Sequence, residues 1–190
     1  MPLTRNAEDP AHEMIVGVDE SGSRYPIDKL DAHLRSTRHL AVSVFVFRDG
    51  RLLLQQRADG KYHSGGLWAN TCCSHPRWDE TPAACAERRL REELGFSVPL
   101  AEFARIEYAT PVGALFENET VHCFGGTADA DLDTSVFNRD EVRAVAWRDL
   151  DELARDMAQR PEKYAAWFHI YMARHHDPED AFTLLAASSS

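Results

Sequence analysis

Apolar positions along this chain follow two different periods, and the switches between them outline its elements. From Leu40 to Phe47 the chain is rich in β-branched and aromatic residues, the composition of a strand. Asp49-Gly50 comes next, followed by Leu52-Leu53-Leu54. Two apolar runs around Asp-Gly predict a hairpin. Between Pro82 and Leu94 the pattern becomes helical, with Ala83, Ala86, Leu90 and Leu94 forming the apolar stripe. Thr81 suits the N-cap, Pro82 the first helical position, and Gly95 the position past the end. Further strands are predicted over residues 13–19, 67–73, 103–109, 115–125 and 142–147, with a turn at Ser21-Gly22-Ser23 and a loop over 58–66 that holds three glycines. A short helix is predicted over 27–33, and two more over 151–159 and 162–175, separated by Pro161. Mixed strands with a central helix and later helices predict a layered α/β (α+β) arrangement. We expect one catalytic domain over residues 13–176, between a flexible N-terminus at 1–12 and a C-terminal tail at 177–190.

Composition narrows the functional classes. The chain has 190 residues, 44% of them hydrophobic and 27% charged, as a globular domain does. No apolar run approaches a membrane span, and the first ten residues lack the apolar core of a secretory signal. A cytoplasmic protein without a membrane partner is expected. The net charge of −10 opposes binding to nucleic acid. An acidic protein that handles phosphate must gather its Arg and Lys locally, so clustered cations are informative here. Cys72, Cys73, Cys85 and Cys123 form no C-x-x-C pair, which argues against a zinc ribbon or a thioredoxin-like motif.

Residues 74–96 read SHPRWDETPAACAERRLREELGF. This segment resembles the Nudix signature, G-x5-E-x7-R-E-U-x-E-E-x-G-U, where U is a bulky aliphatic residue. Glu80, Arg88, Leu90, Glu92, Glu93 and Gly95 fall in register, whereas Ser74 replaces the first glycine and Arg89 replaces a glutamate. Arg89 and Glu93 are four apart and share a helix face away from the leucines. A carboxylate there can hold Mg²⁺, and the metal can bridge diphosphate oxygens. Hydrolytic Nudix enzymes gather several carboxylates, and Arg89 weakens that reading by adding a phosphate-binding cation in place of one.

Residues 61–76, KYHSGGLWANTCCSHP, make the resemblance specific. Together with Arg38–Ser43 and Glu117-Asn118-Glu119, they resemble the type I isopentenyl-diphosphate isomerases over roughly residues 13–173. The resemblance implies a Nudix-fold α/β/α sandwich around a mixed sheet. It also implies interconversion of isopentenyl and dimethylallyl diphosphate. The family's N-x-x-C-x-H-P segment falls on Asn70–Pro76 and nominates Cys73 as an acid/base group. In extended chain Cys72 would face the opposite way, toward the core, and His75 would share the side of Cys73. Glu117 and Glu119 would share one strand face, with Asn118 on the other.

The same resemblance assigns His33, His39, His75, Glu117 and Glu119 to a metal, and imidazoles with carboxylates suit Zn²⁺ or Mn²⁺. It gives Glu119 a second task in proton transfer and places Mg²⁺, held partly by Glu93, on the diphosphate. Lys29, Arg57, Lys61 and Arg89 match its diphosphate-binding positions, and Tyr108 and Trp167 match aromatic positions associated with the active site, which adds them to the catalytic residues. The partner is a small-molecule diphosphate, and the sequence does not specify an oligomeric state. Two other readings keep the fold. One is a hydrolase of nucleoside diphosphate derivatives, opposed by Arg89, Cys73 and the histidines. The other is a silent binding or zinc-structural module, opposed by the joint presence of acid/base, metal and phosphate residues.

Overall fold

A computed structural model describes residues 13–61 and 63–173. The expected flexible N-terminus, the C-terminal tail and the last residues of the predicted 162–175 helix lie outside the described residues. Among the described residues nine strands form one mixed sheet: β1 (Met14–Val18), β2 (Arg24–Asp28), β3 (His39–Arg48), β4 (Arg51–Arg57), β5 (Trp68–Ala69), β6 (Cys72–Ser74), β7 (Ala101–Val112), β8 (Leu115–Thr127) and β9 (Val142–Asp149). Helix α1 (Lys29–Leu34) follows β2, α2 (Pro82–Leu94) follows β6, and α3 (Leu150–Gln159) and α4 (Ala166–Met172) follow β9.

The period-two pattern of β3 sorts its side chains onto two layers. Ala41, Phe45 and Phe47 pack with Leu153, Met157 and Phe168 of α3 and α4. Val42, Val44 and Val46 pack with Cys85, Ala86, Leu90 and Leu94 of α2. Helices therefore cover both faces, and the expected α/β/α layering is present. Thr81 caps α2 by accepting from Ala84 N at 3.2 Å, and Gly95 closes it in the left-handed region at φ 74°. Cys85 takes the core position expected for Ala83, which is exposed.

The sheet opens at its centre. β3 and β4 pair only beside their Asp49-Gly50 turn, at Phe47↔Leu52 and Arg48↔Arg51. Beyond it β3 runs with β6 (antiparallel) and β8 (parallel), whereas β4 runs with β5 and β9. The segment read as one strand over 67–73 is two short strands, because it crosses this opening. β5 pairs with β4 and β6 with β3, leaving Asn70 and Thr71 between them. Their side chains replace the missing ladder. Thr71 Oγ1 donates to Leu53 O at 2.7 Å and accepts from Val46 N at 2.9 Å, and Asn70 Nδ2 donates to Val44 O at 3.0 Å. Buried backbone groups need such partners when a ladder ends.

Two other expectations are corrected. The helix expected over 27–33 starts at Lys29, because Ile27 and Asp28 belong to β2 and pair with Ile15 and Met14. Asp19 Oδ1 accepts from Ser21 N and Ser23 N, tightening the turn that sends β2 back along β1. The helix expected from residue 162 starts at Ala166, after a 3-10 turn at Pro161–Lys163. Ala165 N bonds to Trp68 O at 2.9 Å there and ties the start of α4 to β5.

Candidate active site

The opening between β3 and β4 leads to a narrow cleft with a cavity volume of about 50 Å³. Cys73, Glu119, Tyr108 and Trp167 all line it, as do Lys29, Arg57, Lys61, Arg89 and Glu93. Residues from α1, α2, α4 and both halves of the sheet thus converge there.

Cys73 sits opposite Ser43 in the β3–β6 ladder, and Cys72 opposite Val44. Strand alternation sends Cys72 into the α2 core, fully buried, and leaves Cys73 facing the cleft. The Cys73 thiol donates to Asn70 Oδ1 at 3.0 Å and lies 3.4 Å from Ser43 Oγ, which in turn meets Tyr171 Oη at 2.8 Å. Burial pushes the thiol up to about 12, although its bonds with Ser43 and Asn70 act the other way. Cys73 is therefore a protonated thiol at neutral pH.

Across β3, Glu119 pairs with His39 in register. Its Oε1 lies 2.9 Å from His75 Nε2 and 3.5 Å from His39 Nε2, and its Oε2 accepts the Tyr108 hydroxyl at 2.6 Å. Glu117, two residues earlier, accepts the same hydroxyl at 3.2 Å, while Asn118 points away and donates to Ser36 O. Burial alone would raise the Glu119 pKa, but the neighbouring His39 and His75 outweigh it and hold the carboxyl well below the usual range. Burial and the charge of Glu119 push Glu117 well above it. Burial also drives His33 down to about 4, and His75 well below the usual imidazole range.

The ring orientations bear on metal binding. His33 Nδ1 lies 2.7 Å from Lys29 O, and His39 Nδ1 lies 2.7 Å from Thr37 O. A carbonyl only accepts, so each Nδ1 carries a proton, and Nε2 is the ring nitrogen that can bind a cation. His39 Nε2 lies 3.5 Å from Glu119 Oε1. Donor atoms of His33, His39, His75 and Glu119 lie within 4.8 Å of one another, and the two carbonyls hold the His33 and His39 rings by their Nδ1 protons, as the acceptors behind metal-ligating histidines do. This donor set fits a divalent metal. Glu117 groups instead with His33 and His63, and Glu93 stands apart, accepting from Arg89 at 2.6 Å and Gln55 at 3.0 Å.

The four cations gather over α2. Arg89 contacts Glu93, Glu92 and Glu141, and Lys61 pairs with Glu141. Burial, with Arg57, Arg89 and Lys29 nearby, pushes Lys61 down to about 8. Arg57 lies with its guanidinium carbon 5.2 Å from the centre of the Trp167 ring. That indole face already receives a cation.

A NUDIX domain model matches residues 37–168. Curated isopentenyl-diphosphate Delta-isomerases are similar over most of their length. That of Dinoroseobacter shibae is 52% identical over 156 residues, covering 81% of this chain and 88% of its own. That of a Jannaschia species is 48% identical over 159 residues, covering 83% and 90%. The chain belongs to the isopentenyl-diphosphate Delta-isomerase family of NUDIX-domain proteins.

Among solved structures, DR0079 from Deinococcus radiodurans shares the fold of this isomerase-family chain at TM-score 0.71 and 17% identity, over 86% of this chain and 99% of that one. A MutT NUDIX hydrolase from Burkholderia pseudomallei does so at TM-score 0.57 and 20% identity, over 72% and 96%. Within the NUDIX box, Arg88 clasps Glu80 at 2.6 and 2.7 Å and reaches Glu92 at 3.0 Å. Those residues brace α2, while Arg89 and Glu93 face the cleft. Sequence reasoning assigned no role to Ser43, Asn70, Tyr171, His63 or Glu141. Asn70 and Ser43 did lie within the quoted motifs, and His63 is two residues from Lys61. Glu141 carries no local signal, since the fold alone brings it to Lys61 and Arg89.

Proposed function

We propose that this protein interconverts isopentenyl diphosphate and dimethylallyl diphosphate by proton addition and removal, supplying isoprenoid synthesis. The observation that carries the reading is the pairing of a protonated thiol, Cys73, with an ionised carboxylate, Glu119, on strands flanking β3 in one buried cleft. An unactivated alkene must gain a proton at its terminal carbon and lose one from another carbon. Two acid/base groups in opposite protonation states suit that exchange in either direction. Tyr108 holds Glu119 through its hydroxyl, and Asn70 and Ser43 orient the thiol.

Lys29, Arg57, Lys61 and Arg89 bind the diphosphate as point charges and guanidinium forks. Trp167 offers its π face to the tertiary carbocation. Burial of the cleft excludes the water that would quench that cation. His33, His39, His75, Glu117 and Glu119 would hold Zn²⁺ or Mn²⁺, and Glu93 would contribute to a Mg²⁺ that arrives with substrate. When bound, these ions supply fixed positive charge beside the two glutamates and on the diphosphate. We place the activity in a single domain over residues 13–176 and, since its charged substrate is water-borne, in the cytoplasm. The test is a product assay with Mg²⁺ on two substrate classes. Isomer formation without phosphate release is expected, whereas hydrolysis of a nucleoside diphosphate derivative with no isomer formed would overturn the reading.

A further inference from the structure

Glu141 stands behind the cation cluster. Among the described residues Lys61, Arg89 and Glu93 line the cleft, and Glu141 does not. Its side chain is 16% exposed, and its carboxylate is divided between two cations. Oε2 pairs with Lys61 Nζ, and Oε1 lies 3.3 Å from Arg89 Nη2. Lys61 belongs to the loop after β4 and Arg89 to α2, so one carboxylate joins the two elements that carry these charges.

The backbone around Glu141 is anchored to the same two elements. Ala58 N donates to Glu141 O at 3.0 Å, and Asn138 N donates to Glu93 O at 2.9 Å. Glu141 N and Val142 N both donate to Asn138 O, at 3.1 and 2.8 Å, which closes the turn between those anchors. Arg143 then meets Asp59 at 3.0 Å. Residues 138–143 therefore strap the loop of Lys61 to the C-terminal end of α2. Lys61 needs such a hold, because a lysine is a point charge on a flexible four-carbon stem. Glu93 is a competing acceptor: it already accepts from Arg89 at 2.6 Å, and its charge acts on Lys61. Without Glu141 the ammonium would swing toward Glu93 or solvent and would have to be drawn back when an anion binds.

We propose that Glu141 is a positioning residue for the diphosphate, acting through Lys61 and Arg89 to hold both charges at the cleft before the anion arrives. Coulomb repulsion alone gives the opposite sign, since a carboxylate near a diphosphate site weakens binding. Positioning prevails here because Glu141 meets the cleft only through two cations. Ordering a rotamer-rich side chain also costs binding free energy, and the ion pair has ordered Lys61 in advance. The inference rests on the diphosphate reading of the cleft proposed above.

The test is calorimetric titration of the full chain with inorganic pyrophosphate and Mg²⁺. Glu141→Gln should weaken binding roughly 10-fold, within the coupling range of residues in one ion-pair network. KM for isopentenyl diphosphate should rise with it while kcat stays near that of the unaltered protein, the mark of lost uniform binding. Glu141→Asp keeps the charge but shortens the arm, so it should also weaken binding, and it serves if the glutamine variant fails to fold. In a Lys61→Met background, Glu141→Gln should cost no more than about 3-fold, because one of its two cations is gone. A purely structural residue would cost the same factor in both backgrounds, and that result would overturn the inference. Unchanged or tighter pyrophosphate binding by folded Glu141→Gln would overturn it too, and would leave the diphosphate reading standing. Failure of the unaltered protein to bind pyrophosphate would overturn that reading and this inference with it.

Discussion

Replacing Thr71 with Val isolates the device that holds the sheet open beside the cleft. Thr71 is fully buried, and its hydroxyl serves both halves of the sheet, donating to Leu53 O and accepting from Val46 N. Valine keeps the shape but leaves a buried carbonyl and a buried N–H unsatisfied. Each unsatisfied group costs roughly 1–3 kcal/mol, so the variant should lose about 2–6 kcal/mol of stability. Total stability of a domain is about 5–15 kcal/mol, so the loss is large. Thr71→Ser keeps both bonds and removes one methyl, a loss of about 1 kcal/mol on the scale of Ile→Val. Urea unfolding followed by circular dichroism measures both, and the midpoint should fall far more for Val than for Ser. Cys73 lies two residues on, held by Asn70 at the same crossing, so turnover of folded Thr71→Val should also fall. A Val variant within about 0.5 kcal/mol of Ser would refute the account of the crossing, because the hydroxyl would then bridge nothing that matters.

Cys73→Ala should reduce isomerisation by roughly 10²–10⁴-fold, as loss of a proton-transfer group does, whereas Cys72→Ala should lower stability and spare turnover. Rates of variants shown to be folded would decide, and a dead Cys72 variant beside an active Cys73 variant would reverse the assignment. Arg89→Gln should weaken inorganic pyrophosphate binding by roughly 10- to 100-fold, the equivalent of about 1.5–3 kcal/mol for a charged hydrogen bond, as measured by calorimetry. The metal-stripped protein should lose stability as pH falls from about 6.5 toward 4. His33 and His63 are pushed down to about 4 and about 3, and His75 is also lowered, so in this window the unfolded chain binds more protons than the folded one. Glu119 is lowered and adds to this loss, whereas Glu117 is raised and works the other way. Melting temperatures across that range check the sign.

What could be read from the sequence followed from local periodicity. Alternation alone separates Cys72 from Cys73 and sets Glu117 and Glu119 on one face, because neighbours in a strand cannot share a side. The α2 caps were equally legible, since Thr81, Pro82 and Gly95 each satisfy a requirement of their own position. The break at Asn70-Thr71 was not. It exists because β3 and β4 diverge, and nothing between residues 67 and 73 records how distant strands pair. β2 was missed for a related reason. Its turn was visible, but its strand character comes from pairing along β1. His63 lay in a loop whose course periodicity cannot predict. Glu141 reaches Lys61 from 80 residues away.

The central claim is that Cys73 and Glu119 exchange protons with the five-carbon chain of a diphosphate. Incubation of the enzyme with isopentenyl diphosphate and Mg²⁺ in deuterium oxide, followed by nuclear magnetic resonance, tests it most directly. The account predicts dimethylallyl diphosphate carrying deuterium in the newly formed methyl group, with no inorganic phosphate released. Phosphate release without isomer, or isomer formed at an undiminished rate by folded Cys73→Ala, would contradict it.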